Sequence, residues 1–223
     1  NDLTTLDKSD ESVHDELIEV MTDRAFNFLV GFLGQPPKTF DWVYNSKEGV
    51  VELTNLTPQS LLALCKFNPD DWVSIVNDPR KENIYNKYYQ VQYLGNVKDQ
   101  HVGWLNLPID RLKQLAKQSI DQNKPVWFGC NVGADRDRDS GIMDIGIHDY
   151  KQIGYNNKMT KEEKLRKYAS LPSHAMVIVG YHSDGDNMVK RWKIENSWGK
   201  SSGSDGFLLM TDSWYSEYVY QIV

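Results

Sequence analysis

Apolar residues recur at helical spacing over residues 11–33, where Val13, Leu17, Val20, Met21, Phe26 and Leu29 gather near one face and Ser12 with Glu16 approximates a cap. The spacing predicts a helix that stops before Pro36 and Pro37, which cannot continue one. KTFDWVYN then alternates Phe40, Trp42 and Tyr44 on one side, the period of a strand, and a turn over Asn45–Gly49 makes it a hairpin. In TPQSLLALCKF, Thr57 stands at an N-cap with Pro58 in the first helical position, where a missing N–H costs nothing. NIYNKYYQVQYLGNV, residues 83–97, alternates enough to predict another strand. LPIDRLKQLAKQSIDQ places Ile109, Leu112, Leu115, Ala116 and Ile120 on one helical face. From residue 125 the apolar runs become short and strand-like: 125–132, 175–182, 190–196, 206–212 and 218–223. Between the first two lies a long polar excursion, residues 134–172, with one helix expected near 160–170.

Length and composition narrow the classes. At 223 residues the chain is one large domain or two small ones, and 40% hydrophobic with 25% charged residues is the make-up of a folded globular protein. Thirty-one acidic residues against 25 basic ones give a net charge of −6, and no run of Lys and Arg is present to neutralise phosphates. Nucleic acid is therefore not an expected partner. No apolar run approaches the ~20 residues that span a bilayer, so no membrane role is expected either. The two cysteines, Cys65 and Cys130, both sit in apolar sequence. Each reads as a small buried hydrophobe, and the scarcity of cysteine fits a reducing, cytoplasmic compartment. The chain starts at Asn1 and stops within the strand-like YSEYVYQIV, which leads us to expect a piece of a longer polypeptide.

Two segments carry candidate chemistry: Ser173-His174-Ala175-Met176-Val177-Ile178-Val179-Gly180-Tyr181 and Trp192-Lys193-Ile194-Glu195-Asn196-Ser197-Trp198-Gly199. His174 heads an apolar strand, which can hold its ring rigidly with one nitrogen toward a cleft. The Asn196 side-chain oxygen is a suitable acceptor for the other nitrogen, fixing the ring without adding charge. Trp198, two residues on, would roof that hydrogen bond and strengthen it by excluding water. His101, His148, Asp135, Asp137 and Asp144 fall in polar loops without metal-ligand spacing, so neither a metal nor a cofactor is expected.

HAMVIVGY, WKIENSWG and GFLLM, in that order and after KPVWFGCNV, closely resemble the C-terminal half of papain-like cysteine proteases. VNDPRKENIYNKYYQVQYLGNV, PVWFGCNVG and MTDSWYSEYVYQIV are similar to the bleomycin hydrolase branch, which includes bacterial aminopeptidase C, and the likeness runs from about Phe40 to Val223. The resemblance implies an α+β papain-like cysteine peptidase fold: a mainly helical insertion with a β-hairpin over residues 1–120, and an antiparallel β-barrel half over 121–223. It implies that His174 is the general base and acid, that Asn196 orients its ring and that Trp198 shields their contact. It implies cleavage of peptide substrates through a thioester, a homohexameric assembly, and Ser173 and Gly129 as substrate-wall positions.

The chain departs from that family's pattern at the nucleophile. No Gln…Cys-Gly-Ser-Cys-Trp segment occurs, and neither Cys65 nor Cys130 has such neighbours. The expectation is that an N-terminal half of the same enzyme carries the thiol, and that this chain supplies the His and Asn half. The alternative is a catalytically inactive papain-fold binding or scaffold protein. The C-terminal tail that gives that branch its aminopeptidase selectivity is likewise not among these residues.

Overall fold

The computed structural model describes residues 11–66, 68, 71–91, 102–154 and 159–223. His101 and residues 92–97 of the expected 83–97 strand lie outside the described residues. The chain divides into two compact units, residues 1–68 and 69–223.

In the first unit, α1 (Glu11–Leu33) ends where the prolines require. Gly34 takes φ +82° and donates its N–H to Val30 O at 2.9 Å, closing the helix with a left-handed residue that has no Cβ to clash. Ser12 lies inside the first turn rather than capping it. The strands β1 (Phe40–Ser46) and β2 (Gly49–Leu56) form the expected hairpin, with Ser46 opposite Gly49 and Lys47-Glu48 as the loop. A reciprocal cap opens α2 (Pro58–Cys65): Ser60 N–H donates to Thr57 Oγ1 at 3.1 Å and Thr57 N–H to Ser60 Oγ at 2.8 Å. Cys65, expected to be buried, is instead exposed; none of the eight α2 residues is buried, so there is no apolar core for its thiol to join.

The second unit is built on one sheet of nine strands: β3 (Ile75–Val76), β4 (Lys87–Gln90), β5 (Gly103–Asn106), β6 (Val126–Cys130), β7 (Ile142–Met143), β8 (His174–Ser183), β9 (Val189–Glu195), β10 (Phe207–Thr211) and β11 (Val219–Ile222). Their spatial order is β4-β5-β3-β11-β6-β8-β9-β10-β7. The expected antiparallel barrel is thus corrected to an open sheet, with β3–β5 and β7–β10 parallel and no closing pair between the outermost described strands β4 and β7. Residues on both sides of position 120 contribute to it. The helix α3 (Ile109–Asp121) covers β6 and β8 with the fully buried Leu112 and Ala116, as its periodicity predicts. Phe128, Ile178, Trp192, Ile194 and Met210 fill the core beneath it.

One helix escaped the sequence reading. α5 (Asp212–Tyr218) follows β10 directly and packs on β9, β10 and β11 through buried Trp214, Tyr215 and Tyr218. Thr211 caps it, accepting from Trp214 N–H at 3.3 Å, with Asp212 in the first turn where an acid suits the helix dipole. Gly141, just before β7, and Gly203, in the β9–β10 connection, both at positive φ, approach so closely that a Cβ on Gly141 would lie 2.7 Å from Gly203 Cα. Only glycine fits both positions.

The helix expected near 160–170 is α4 (Lys161–Arg166), opened by a Thr160–Glu163 capping box. Lys161 is buried and donates to Asn77 Oδ1 at 2.8 Å, Ser216 O at 3.1 Å and Val219 O at 2.5 Å, with its Nζ 4.7 Å from the centre of the Tyr220 ring. Burial pushes its ammonium down to about 7, against a pull from Glu217. One amine thus fastens α4 to β3 and to the end of α5. No helix among the described residues is long and apolar enough to cross a membrane.

Candidate active site

Strand pairing sets the first side chain of the site. β6 runs antiparallel to β8 with Cys130 opposite His174, and Ser173 N–H donates to Cys130 O at 2.9 Å, so the backbone on both sides of His174 is held. The segment leading into it is also tethered, since Asn131 Nδ2 donates to Ser170 Oγ at 2.9 Å and Ser170 Oγ shares a 2.6 Å hydrogen bond with Tyr220 OH. β9 pairs with β8 in a register that sets Val177 against Glu195, and carrying it past the end of β9 brings residue 198 level with 174. The sheet itself therefore delivers the ENSWG turn to the histidine.

The expected contacts form. His174 Nε2 lies 2.9 Å from Asn196 Oδ1, which also accepts Ser197 N–H at 2.9 Å. An amide oxygen only accepts, so Nε2 carries the proton and Nδ1 is left as the basic nitrogen. The buried Asn196 Nδ2 finds no partner among the described residues. Trp198 stacks on the imidazole, with ring centres 4.8 Å apart and planes 25° from parallel. Trp198 is itself 42% exposed. Gly129 sits one residue before Cys130, paired with Ala175 and Gln221, where an added Cβ would meet Gln221 Cβ at 3.6 Å.

Cys130 is fully buried and its thiol is pushed up to about 12 by desolvation, which the Arg136 charge offsets only in part. At neutral pH it is a protonated packing residue, not a nucleophile. The loop carboxylates are occupied by local donors: Asp135 takes the hydroxyls of Tyr150 and Tyr218, Asp137 takes Ser140 Oγ, and Asp144 takes Gly146 N–H. Among the described residues no group of three His, Cys, Asp or Glu side chains is placed to hold a metal ion.

Sequence reasoning missed Arg136, whose guanidinium carbon lies 4.6 Å from the centre of the Trp198 ring. Its only signal is the alternation of Asp135, Arg136, Asp137 and Arg138, which reads as a solvated loop. The same residue lines a cavity of about 450 Å³ with Asn131, His148, Ser170 and Tyr218.

Residues 2–223 match the model of the Peptidase C1-like family. Human bleomycin hydrolase is 38% identical over 214 residues, covering 92% of this chain and 47% of that protein. Aminopeptidase C of Lactococcus lactis subsp. cremoris is 35% identical over 216 residues, 96% of this chain and 49% of the relative. A crystal structure of PepW from Lactobacillus rhamnosis HN001 superimposes with a TM-score of 0.87 at 35% identity, over 96% of this chain and 49% of that one. The chain spans about half the length of the relatives it matches. With helices and sheet arranged as in that structure, and with the family model matched almost from end to end, this chain belongs to the Peptidase C1-like family.

Proposed function

We propose that this chain provides the histidine and asparagine half of a cysteine-type aminopeptidase acting on peptides in the cytoplasm. The observation that carries this reading is the His174–Asn196 hydrogen bond beneath Trp198. A thiolate supplied by a segment outside residues 1–223 forms an ion pair with His174 protonated at Nδ1. The thiolate sulfur attacks the scissile carbonyl carbon, giving a tetrahedral oxyanion. This collapses to a thioester as the C–N bond breaks and the Nδ1 proton passes to the leaving amine. Water, deprotonated by the same nitrogen, then attacks the thioester, and the sulfur leaves as thiolate while the acid product departs. Ser173 and Gly129 flank this track as substrate-wall positions.

Asn196 acts by orientation. An Asn196→Ala variant of the full-length enzyme is expected to lose about 10²-fold in kcat/KM, the scale of a misplaced catalytic ring, with KM little changed. The deciding measurement is intact mass of the full-length protein after reaction with a thiol-directed epoxysuccinyl peptide. One adduct that maps outside residues 1–223 supports the peptidase reading. No adduct, together with no hydrolysis of aminoacyl fluorogenic amides, overturns it in favour of an inactive papain-fold scaffold.

A further inference from the structure

We propose that Arg136 forms a carboxylate-binding subsite on the leaving-group side of the site, selecting peptides with a carboxylate on the first residue after the scissile bond. This rests on the proposed peptidase function. Arg136 is half-buried, its backbone is pinned by a bridge to Met143, and its guanidinium stacks on Trp198 without a hydrogen bond or ion pair to any carboxylate among the described residues. The nearest acids in sequence are committed elsewhere, Asp135 to Tyr150 and Tyr218, Asp137 to Ser140 and the Asp139 N–H. Burial and the neighbouring Arg138 cation both disfavour its charge. A cation kept without a counter-ion in such surroundings is suited to an anion that arrives with the ligand.

Position decides which part of the ligand. The imidazole that protonates a leaving amine must stand on the amine side of the scissile bond, so what flanks that imidazole meets the leaving group first. Trp198 lies against His174 and Arg136 against Trp198, two successive ring contacts of 4.8 and 4.6 Å. Beyond Arg136 opens the cavity of about 450 Å³, whose wall carries Asn131, Lys164 and the Asp135 carboxylate, the last already taken by the Tyr150 and Tyr218 hydroxyls. A guanidinium fork in that place can take a carboxylate by two parallel N–H donors.

That carboxylate can be the free C-terminus of a dipeptide or the side chain of an acidic residue, and matched substrates separate the two. In the full-length enzyme, kcat/KM is compared for an X–Ala dipeptide against X–Ala amide, and for X–Asp amide against X–Asn amide, in wild type, Arg136→Gln and Arg136→Lys. Wild type is expected to prefer at least one carboxylate substrate by about 10-fold or more, the scale of a charge-assisted pair. Arg136→Gln is expected to erase that ratio, and Arg136→Lys to restore part of it. A ratio that survives Arg136→Gln, or an equal loss on both members of each pair, overturns the proposal, because Arg136 would then only brace Trp198. Titration with N-acetylglycine and its amide, read at the Trp198 indole NMR resonance, tests binding apart from turnover. An Arg136-dependent shift with the acid alone supports the subsite even if no peptide is cleaved, whereas absence of both shift and ratio removes it.

Discussion

Replacing His174 by alanine in the full-length enzyme is expected to lower kcat/KM by about 10³-fold or more while leaving the melting temperature nearly unchanged. One side chain forms the ion pair, gives the proton to the leaving amine and takes it from water, and general acid–base transfer alone contributes about 10²–10⁴-fold. The ring is half-buried at a strand end, so its removal opens no core cavity, and Ser173 N–H keeps its bond to Cys130 O. A His174→Ala enzyme with wild-type turnover would sink the mechanism. The Asn196 variant should fall between the two, because it loses the orientation of the ring and keeps the ring.

Lys161→Met is expected to cost the fold about 2–4 kcal/mol, measured by urea denaturation at pH 7. Three acceptors, Asn77 Oδ1, Ser216 O and Val219 O, lose their donor at once, and buried unsatisfied acceptors are costly. Relief from burying a cation returns only part of that. The variant should also differ in pH dependence. Lys161 sits at about 7 in the folded chain against 10.5 for a free lysine, with Glu217 and Asp78 favouring its charge and Lys113 opposing it. Between those values the unfolded chain holds the proton more tightly, so stability rises with pH from about 7 toward 10.5 and is insensitive to this group below 7. Lys161→Met should flatten that rise. An equal slope in both proteins would show that Lys161 does not titrate there.

The parts of this molecule that were legible in the sequence are those where local pattern and tertiary position coincide. His174 heads a short continuous apolar run and Asn196 ends an alternating one, so their place at strand ends followed directly, and Thr57 with Pro58 marked α2. The open sheet was not legible, because β3 and β7 have two residues each and show no period at all. α5 was hidden by its composition: Trp214, Tyr215 and Tyr218 are strand-forming types, and only their spacing on one helical face with Thr211 as cap betrays it. Lys161 reads as solvated within Lys-Glu-Glu-Lys. Its burial depends on Asn77, 84 residues away, and on the end of a helix that was itself unseen.

The place of β11 has a consequence for synthesis. It is the last strand in chain order, yet it lies between β3 and β6, joining β4-β5-β3 to β6-β8-β9-β10-β7. Until Val219–Ile222 have cleared the ribosome, the two parts of the sheet share no strand pairing among the described residues, and each presents a bare edge where β11 will sit. The β4-β5-β3 part therefore waits with its β3 edge bare while residues 107–218 are made, and one short segment arriving after Thr211 joins it to the rest.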